Sequence, residues 1–239
     1  LVSPLLLVAA DRWWIPRLAG QRSTDLKEID EPQEAPIIIA GFGRYGQIVG
    51  RLLYASGISA TVLEHDAEQV EAVRKFGWPV FYGDATRLDL LRTAGAAQAR
   101  VLVLAIDDIA QSVKVASMVR EHFPHLSVVA RARNVTHYHQ LRGLGVTLIE
   151  RETLDSALMS GRSVLELLGF QPHQARTLAL RFRRHSVDQL EVMRAHQGDE
   201  AQLIAAAKQG RQQLEALFAQ EREEQQKRRA RAGWGDDPV

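Results

Sequence analysis

Three glycines, spaced as Gly41-Phe42-Gly43-Arg44-Tyr45-Gly46, directly follow the apolar run Ile37-Ile38-Ile39-Ala40. A strand leading into such a turn and then into a helix makes an anion site: the first glycine allows the tight turn, the second lets the main chain approach a phosphate, and the third lets helix and sheet pack closely. The helix N-terminus adds unbonded N–H groups and the positive end of its dipole, so Phe42, Arg44 and Tyr45 join the three glycines as candidate nucleotide contacts. An acid about 20 positions later, closing the next strand, is the expected partner of ribose hydroxyls. Glu64 closes Ala60-Thr61-Val62-Leu63, with His65 beside it. A carboxylate there repels a ribose 2′-phosphate, which disfavours NADP.

A second glycine and acid occur in Tyr82-Gly83-Asp84-Ala85-Thr86, after the next apolar run. In a parallel sheet this loop opens at the same edge as the glycine turn, beside the adenosine end of a ligand. Asp84 or Thr86 is equally suited to capping a helix from Arg87, and the two roles are compatible. Ala105-Ile106-Asp107-Asp108 ends the fourth apolar run, where Ile106 is a candidate contact and the carboxylates are either contacts or caps. None of the eight histidines stands in a catalytic string, and His137 and His139, two apart on a helix, diverge too far for a metal pair. The chain has no cysteine, hence no disulfide, thiolate site or thiol nucleophile. A dehydrogenase also needs a proton donor and a substrate pocket at the nicotinamide. The residues beyond 150 are too helical and too few for that, so the nucleotide is expected to regulate.

These residues must be positioned by alternating strands and helices. Short apolar runs predict strands over 37–40, 60–63, 80–82, 101–105, 127–130 and 146–149; longer amphipathic ones predict helices over 45–56, 67–76, 87–94, 109–122, 135–144 and 153–168. Repeated crossovers of this kind require a parallel sheet, an α/β Rossmann-like doubly wound fold with a C-terminal helical extension. Gly57, Gly77, Gly95 and Gly169 stand where left-handed helix C-caps are needed. The expected organisation is residues 37–150 as the nucleotide-binding domain, 151–226 as helical extension and 227–239 as a disordered tail. Before it, Leu1–Ala10 is apolar and is followed by Trp13, Trp14 and several arginines, which reads as the end of a transmembrane helix leaving on the cytoplasmic side over residues 1–20. Residues 21–36, polar and ending in two prolines, read as a linker. With Lys+Arg at 30, Asp+Glu at 29 and a net charge of +1, nothing favours a nucleic-acid partner.

Pro36–Gln47, Leu63-Glu64-His65-Asp66 and Phe81–Thr86 together resemble the regulator-of-potassium-conductance domain, also called the potassium transport, nucleotide-binding domain. Arg74-Lys75-Phe76-Gly77, Glu121–Leu126 and Ala130-Arg131-Ala132-Arg133 are more specifically similar to the cytoplasmic domain of the Kef glutathione-gated potassium efflux systems. The resemblance implies AMP or NAD/NADH in the Rossmann cleft and a homodimer beneath its own membrane antiporter domain. It also implies a quinone-reductase-like ancillary flavoprotein and a place on the cytoplasmic face of the bacterial inner membrane. Glutathione would hold the transporter closed and its electrophile adducts would open it. The implied glutathione ligands are Arg51, Phe76, Asn134, Arg151 and Ser186. Phe76 is either a side chain that a bulky S-substituent displaces or plain helix core, and Arg151 is either a carboxylate ligand or the ion-pair partner of Glu150 or Glu152. Two positions depart from the family pattern: Asn134 replaces an aspartate that would pair with the peptide amine, and His185-Ser186 stands where an aromatic and an asparagine are usual. A soluble Trk-type potassium-uptake regulator and an NAD-dependent oxidoreductase are the alternatives.

Overall fold

The computed structural model describes residues 28–194 and 200–232. In chain order the elements are β1 (Ile37–Ala40), α1 (Arg44–Ala55), β2 (Thr61–Glu64), α2 (Ala67–Lys75), β3 (Val80–Tyr82), α3 (Leu88–Thr93) and β4 (Val101–Leu104). They continue with α4 (Ile109–His122), β5 (Ser127–Ala132), α5 (Val135–Gly143), β6 (Leu148–Arg151), α6 (Leu154–Leu167), α7 (Pro172–Arg194) and α8 (Glu200–Ala232). The strands form one sheet in the order β3-β2-β1-β4-β5-β6. This is the doubly wound order, whose direction reverses at β1 and β4, so a crevice opens beyond the carboxyl ends of those two strands.

The chain divides into two compact units: one reaches to Asp107 and takes in Ser117–Ser127, while the other holds Asp108–Ala116 and continues from Val128. In the first, β1 pairs in parallel with β2 on one side and β4 on the other. Ile38, Ile39, Leu102 and Leu104 are fully buried, as expected for apolar runs without alternation that are covered on both faces. Ile39, Phe42, Val62, Val70, Val73, Val80, Val103 and Ala105 make a continuous core beneath the glycine turn. In the second, β5 pairs in parallel with β6, and α6, α7 and α8 follow.

Every predicted strand and helix is present, and the shift of β6 has a clear cause. β6 starts two residues later than the apolar run suggests because Val146 completes the end of α5: its N–H donates to Leu141 O (3.2 Å) and that of Gly145 to Arg142 O (3.0 Å). Gly145 is left-handed at φ 80. This is the Schellman pattern, and it buries Val146 against the helix it closes. Within the stretch read as a linker, the described residues make contacts of their own. Ile29 is buried and its N–H donates to Tyr82 O (3.2 Å), Gln33 N–H donates to Thr93 O (2.9 Å), and Glu28 bridges in parallel to Tyr82. An apolar side chain at 29 and free main-chain groups beside β3 suffice to dock this stretch. The expected disordered tail begins too early as well, since α8 continues to Ala232. Its Gln, Glu, Lys, Arg and Ala residues are strong helix formers. Residues 233–239, and the membrane-exit segment expected over 1–20, lie outside the described residues. Among the described residues no helix is long and apolar enough to cross a membrane.

Candidate functional site

The glycine turn is held by contacts that explain each glycine. Gly41 has φ 90, and a Cβ there would stand 2.9 Å from Ile106 N, so the loop after β4 closes directly on the turn. A Cβ on Gly46 would collide with the carbonyl oxygen of Gly41, which lets α1 start against β1. Gly43 differs: a Cβ there would meet only Gln69 Nε2 at 3.9 Å. Space above Gly43 therefore adjoins the start of α1, which has Gly43 itself as N-cap, no side-chain cap and no acidic residue in its first turn. Open room, main-chain N–H groups and an uncompensated dipole end together suit a phosphate.

Glu64, the last residue of β2, is 5% exposed and sits across the turn. One carboxylate oxygen accepts from Phe42 N–H (2.6 Å); the other accepts from His65 N–H (2.8 Å) and Asp66 N–H (3.0 Å). His65 Nδ1 lies 3.1 Å from the same oxygen, with its side chain largely exposed. Glu64 thus ties the glycine turn to the end of β2. The carbonyl of Phe42 accepts from the side-chain amides of Gln69 (2.5 Å) and Gln47 (3.2 Å). The Phe42 ring is buried, 6.1 Å from that of Trp78, so this residue anchors the turn with both its ring and its main chain. Gln47 and Gln69 escape sequence reasoning, because a glutamine on a helix carries no sign of which carbonyl it will reach.

The second glycine and acid form a local turn. Gly83 N–H donates to Glu64 O (2.9 Å), bringing this loop beside β2, and Asp84 accepts from Thr86 N–H (2.8 Å) and Thr86 Oγ1 (2.9 Å). Neither residue caps the following helix, whose N-cap position is Arg87 without a side-chain bond. Ala85 and Ile106 are buried, while Arg44 at the start of α1 is exposed. After β4, Asp108 takes the capping role, accepting from Gln111 N–H (2.8 Å).

Of the implied peptide ligands, Arg51 is exposed on α1 and Phe76 is 82% exposed at the end of α2, so Phe76 is not helix core. In the second unit, Asn134 caps α5, accepting from His137 N–H (2.8 Å). Arg151, at the end of β6, donates from Nη1 to Ser186 Oγ (2.8 Å) on α7. Its flanking carboxylates pair elsewhere: Glu152 with Arg131 (2.7 Å) and Glu150 with Arg183 (3.0 Å). The structure thus joins Arg151 to Ser186, 35 residues away. His137 is fully buried; Arg133 N–H donates to its Nδ1 (3.3 Å), so its Nε2 carries the proton toward Ser112 Oγ (3.1 Å). Burial, then the charges of Arg131 and Arg133, hold its pKa below the usual histidine range, and the ring is a neutral support under Asn134. Among the described residues, no group of three or more His, Asp or Glu could hold a metal ion.

Two family models match in tandem: the TrkA-N domain over residues 37–151 and the potassium efflux system KefB C-terminal domain over residues 156–232. The glutathione-regulated potassium-efflux system protein KefC of Escherichia fergusonii is 47% identical over 221 residues, and KefC of Escherichia coli strain SE11 matches equally. The alignment takes in 92% of this chain, which spans 35% of the length of those curated relatives. Among solved structures, the Shewanella denitrificans Kef CTD in AMP bound form is similar at 41% identity and a TM-score of 0.63, over 68% of this chain and 99% of that one. GsuK bound to ADP shares the fold at 19% identity and a TM-score of 0.50, over 66% of this chain and 41% of that one. With a Kef C-terminal domain matched over nearly its whole length and the two family models in order along the sequence, this chain belongs to the Kef family of potassium-efflux systems, as their C-terminal region.

Proposed function

We propose that the chain is the cytoplasmic regulatory domain of a potassium/proton antiporter at the bacterial inner membrane. It binds an adenine nucleotide, AMP or NAD/NADH, and gates potassium efflux in response to glutathione and its electrophile adducts. The observation that carries this reading is the glycine turn clamped by Glu64 beneath open space at Gly43, next to the uncapped start of α1. The phosphate would lie on that N-terminus, with Glu64, His65, Asp84, Ala85, Thr86 and Ile106 bordering the adenosine. The similar Kef domain with AMP bound supports the ligand class. On this reading the chain is a binding module and not an enzyme, and its partners are a second copy, its own membrane domain and an ancillary flavoprotein.

Exposed apolar side chains give a second copy something to cover: Ile48 and Leu52 one turn apart on α1, and Met159, Val164, Leu167 and Leu168 on and just after α6, which buries none of its residues. The glutathione response falls to Arg51, Phe76, Asn134, Arg151 and Ser186. Arg151 has a neutral partner in Ser186, so a peptide carboxylate could replace that hydroxyl at no cost of a broken ion pair. Calorimetry tests the reading: AMP or NADH should bind with NADP weaker, and Arg151→Ala should weaken glutathione without changing the nucleotide affinity. Absence of nucleotide binding, or unchanged glutathione affinity in Arg151→Ala, would refute the corresponding half.

A further inference from the structure

The stretch from Glu28 to Gln33 runs past α3 and touches the turn Gly83-Asp84-Ala85-Thr86 at both of its ends. At the first end, Ile29 is buried against Gly83, where a Cβ would stand 3.8 Å from Ile29 Cγ2, 3.3 Å from Leu63 Cδ2 and 3.4 Å from Leu90 Cδ1. The N–H of Ile29 donates to Tyr82 O, one residue before that glycine (3.2 Å). At the other end, Arg87 donates from Nη1 to both carboxylate oxygens of Glu28 (2.7 and 2.9 Å), shares its guanidinium with Asp89 (2.6 Å), and donates its main-chain N–H to Asp84 O (3.0 Å). A second anchor follows beyond α3: Gln33 N–H donates to Thr93 O (2.9 Å), and the carbonyl of Gln33 fills the place that a Cβ on Gly95 would take. Exposed ion pairs contribute little, so the grip comes from Ile29 and the two main-chain bonds, while Glu28 and Arg87 fix where the stretch begins. Between Glu28 and Gln33, Ile29 alone is buried. A segment with so few buried contacts opens locally, ahead of the sheet it lies on.

We propose that residues 28–33 are a strap that positions the turn bordering the adenosine, so that strap docking and nucleotide affinity are coupled. With the strap away, Gly83 loses its apolar cover and Arg87 keeps only Asp89, so the turn is no longer held at either end. A nucleotide seated on the turn therefore holds the strap down, and by reciprocity the docked strap tightens the nucleotide by the same factor. The coupling rests on the adenine-nucleotide reading above and goes beyond it by naming what the occupied site holds in place. With the membrane segment expected over residues 1–20, the strap is the stretch of chain through which nucleotide occupancy reaches the gate.

The test measures AMP affinity by calorimetry on the 239-residue chain and on three variants of it. Ile29→Asp sets a carboxylate against Leu63 and Leu90, Ile29→Ala removes most of the apolar contact, and Ile29→Val keeps it. Coupling between sites typically starts at about fivefold, so AMP should bind Ile29→Asp about fivefold more weakly than wild type and Ile29→Val as tightly. In the wild type, saturating AMP should slow hydrogen exchange at the amides of Ile29 and Gln33 by about the same factor, a response that a merely structural Ile29 would not produce. If Ile29→Asp does not fold, Ile29→Ala and the wild-type exchange decide. Unchanged AMP affinity in a variant whose Gln33 amide exchanges faster, or wild-type exchange that AMP leaves unaltered, overturns the strap while the nucleotide reading stands. Failure of both AMP and NADH to bind the wild type refutes the nucleotide reading and the coupling with it.

Discussion

Replacing Glu64 by glutamine removes the charge and one acceptor while keeping shape. The carboxylate receives three main-chain N–H groups, one on Oε2 from Phe42 and two on Oε1 from His65 and Asp66. An amide can serve only one side. Its oxygen will turn to the two donors, leaving its NH2 against Phe42 N–H, donor to donor, where both residues are buried. A charge-assisted bond is worth about 1.5–3 kcal/mol, and an unmet buried donor adds to the loss, so about 3 kcal/mol of stability should go. For a chain of this size that lowers Tm by about 6–12 °C. Differential scanning fluorimetry reads this directly, and AMP calorimetry should show at least about a tenfold loss, because a ribose hydroxyl would meet an amide in place of a carboxylate. A Tm within about 2 °C of wild type, less than 1 kcal/mol should produce, would refute the clamp.

Gly46→Ala places a methyl against the carbonyl of Gly41, and since that neighbour is main chain the start of α1 must shift. The cost should reach the upper end of the overpacking range, about 3 kcal/mol, with nucleotide binding lost; unchanged AMP affinity would contradict the geometry. Asn134→Ala removes the cap of α5 and should cost about 1 kcal/mol in urea unfolding, whereas Asn134→Asp restores it. If the aspartate variant is as unstable as the alanine one, the capping role is wrong. Burial first, then the neighbouring arginines, depresses the folded-state pKa of His137, so below the unfolded value of about 6.5 the unfolded chain takes up the proton first. Stability is full above that pH, falls as the pH drops through it, and the loss is complete below the folded pKa. A Tm that does not decline between pH 7.5 and 5 would show that the ring is not held neutral.

The geometry of the candidate nucleotide site was legible to the extent that its logic is local. Gly41, Gly43 and Gly46 lie within six residues, and the steric demands that select them arise between a strand, a turn and a helix adjacent in sequence. Glu64 was legible as an acid at a strand end, but not as the clamp on Phe42. That bond spans 22 residues and depends on β1 and β2 lying side by side. The docking of Ile29 was not legible for a similar reason: one buried side chain in a polar stretch is invisible until β3 offers it a place.

By itself, then, the sequence determined the succession of strands and helices, the parallel sheet, the glycine turn and the family resemblance, because these depend on periodicity, glycine spacing and short motifs. Only the tertiary structure decided which partners the side chains take. It gave Arg151 to Ser186 and not to its neighbours Glu150 and Glu152, exposed Phe76, put Asn134 to work as a cap, and seated α8 on α7 at Gly210. The physical reason is range: a hydrogen bond or a helix crossing is set by distances of a few ångströms in space, and residues tens of positions apart meet only after the backbone has folded.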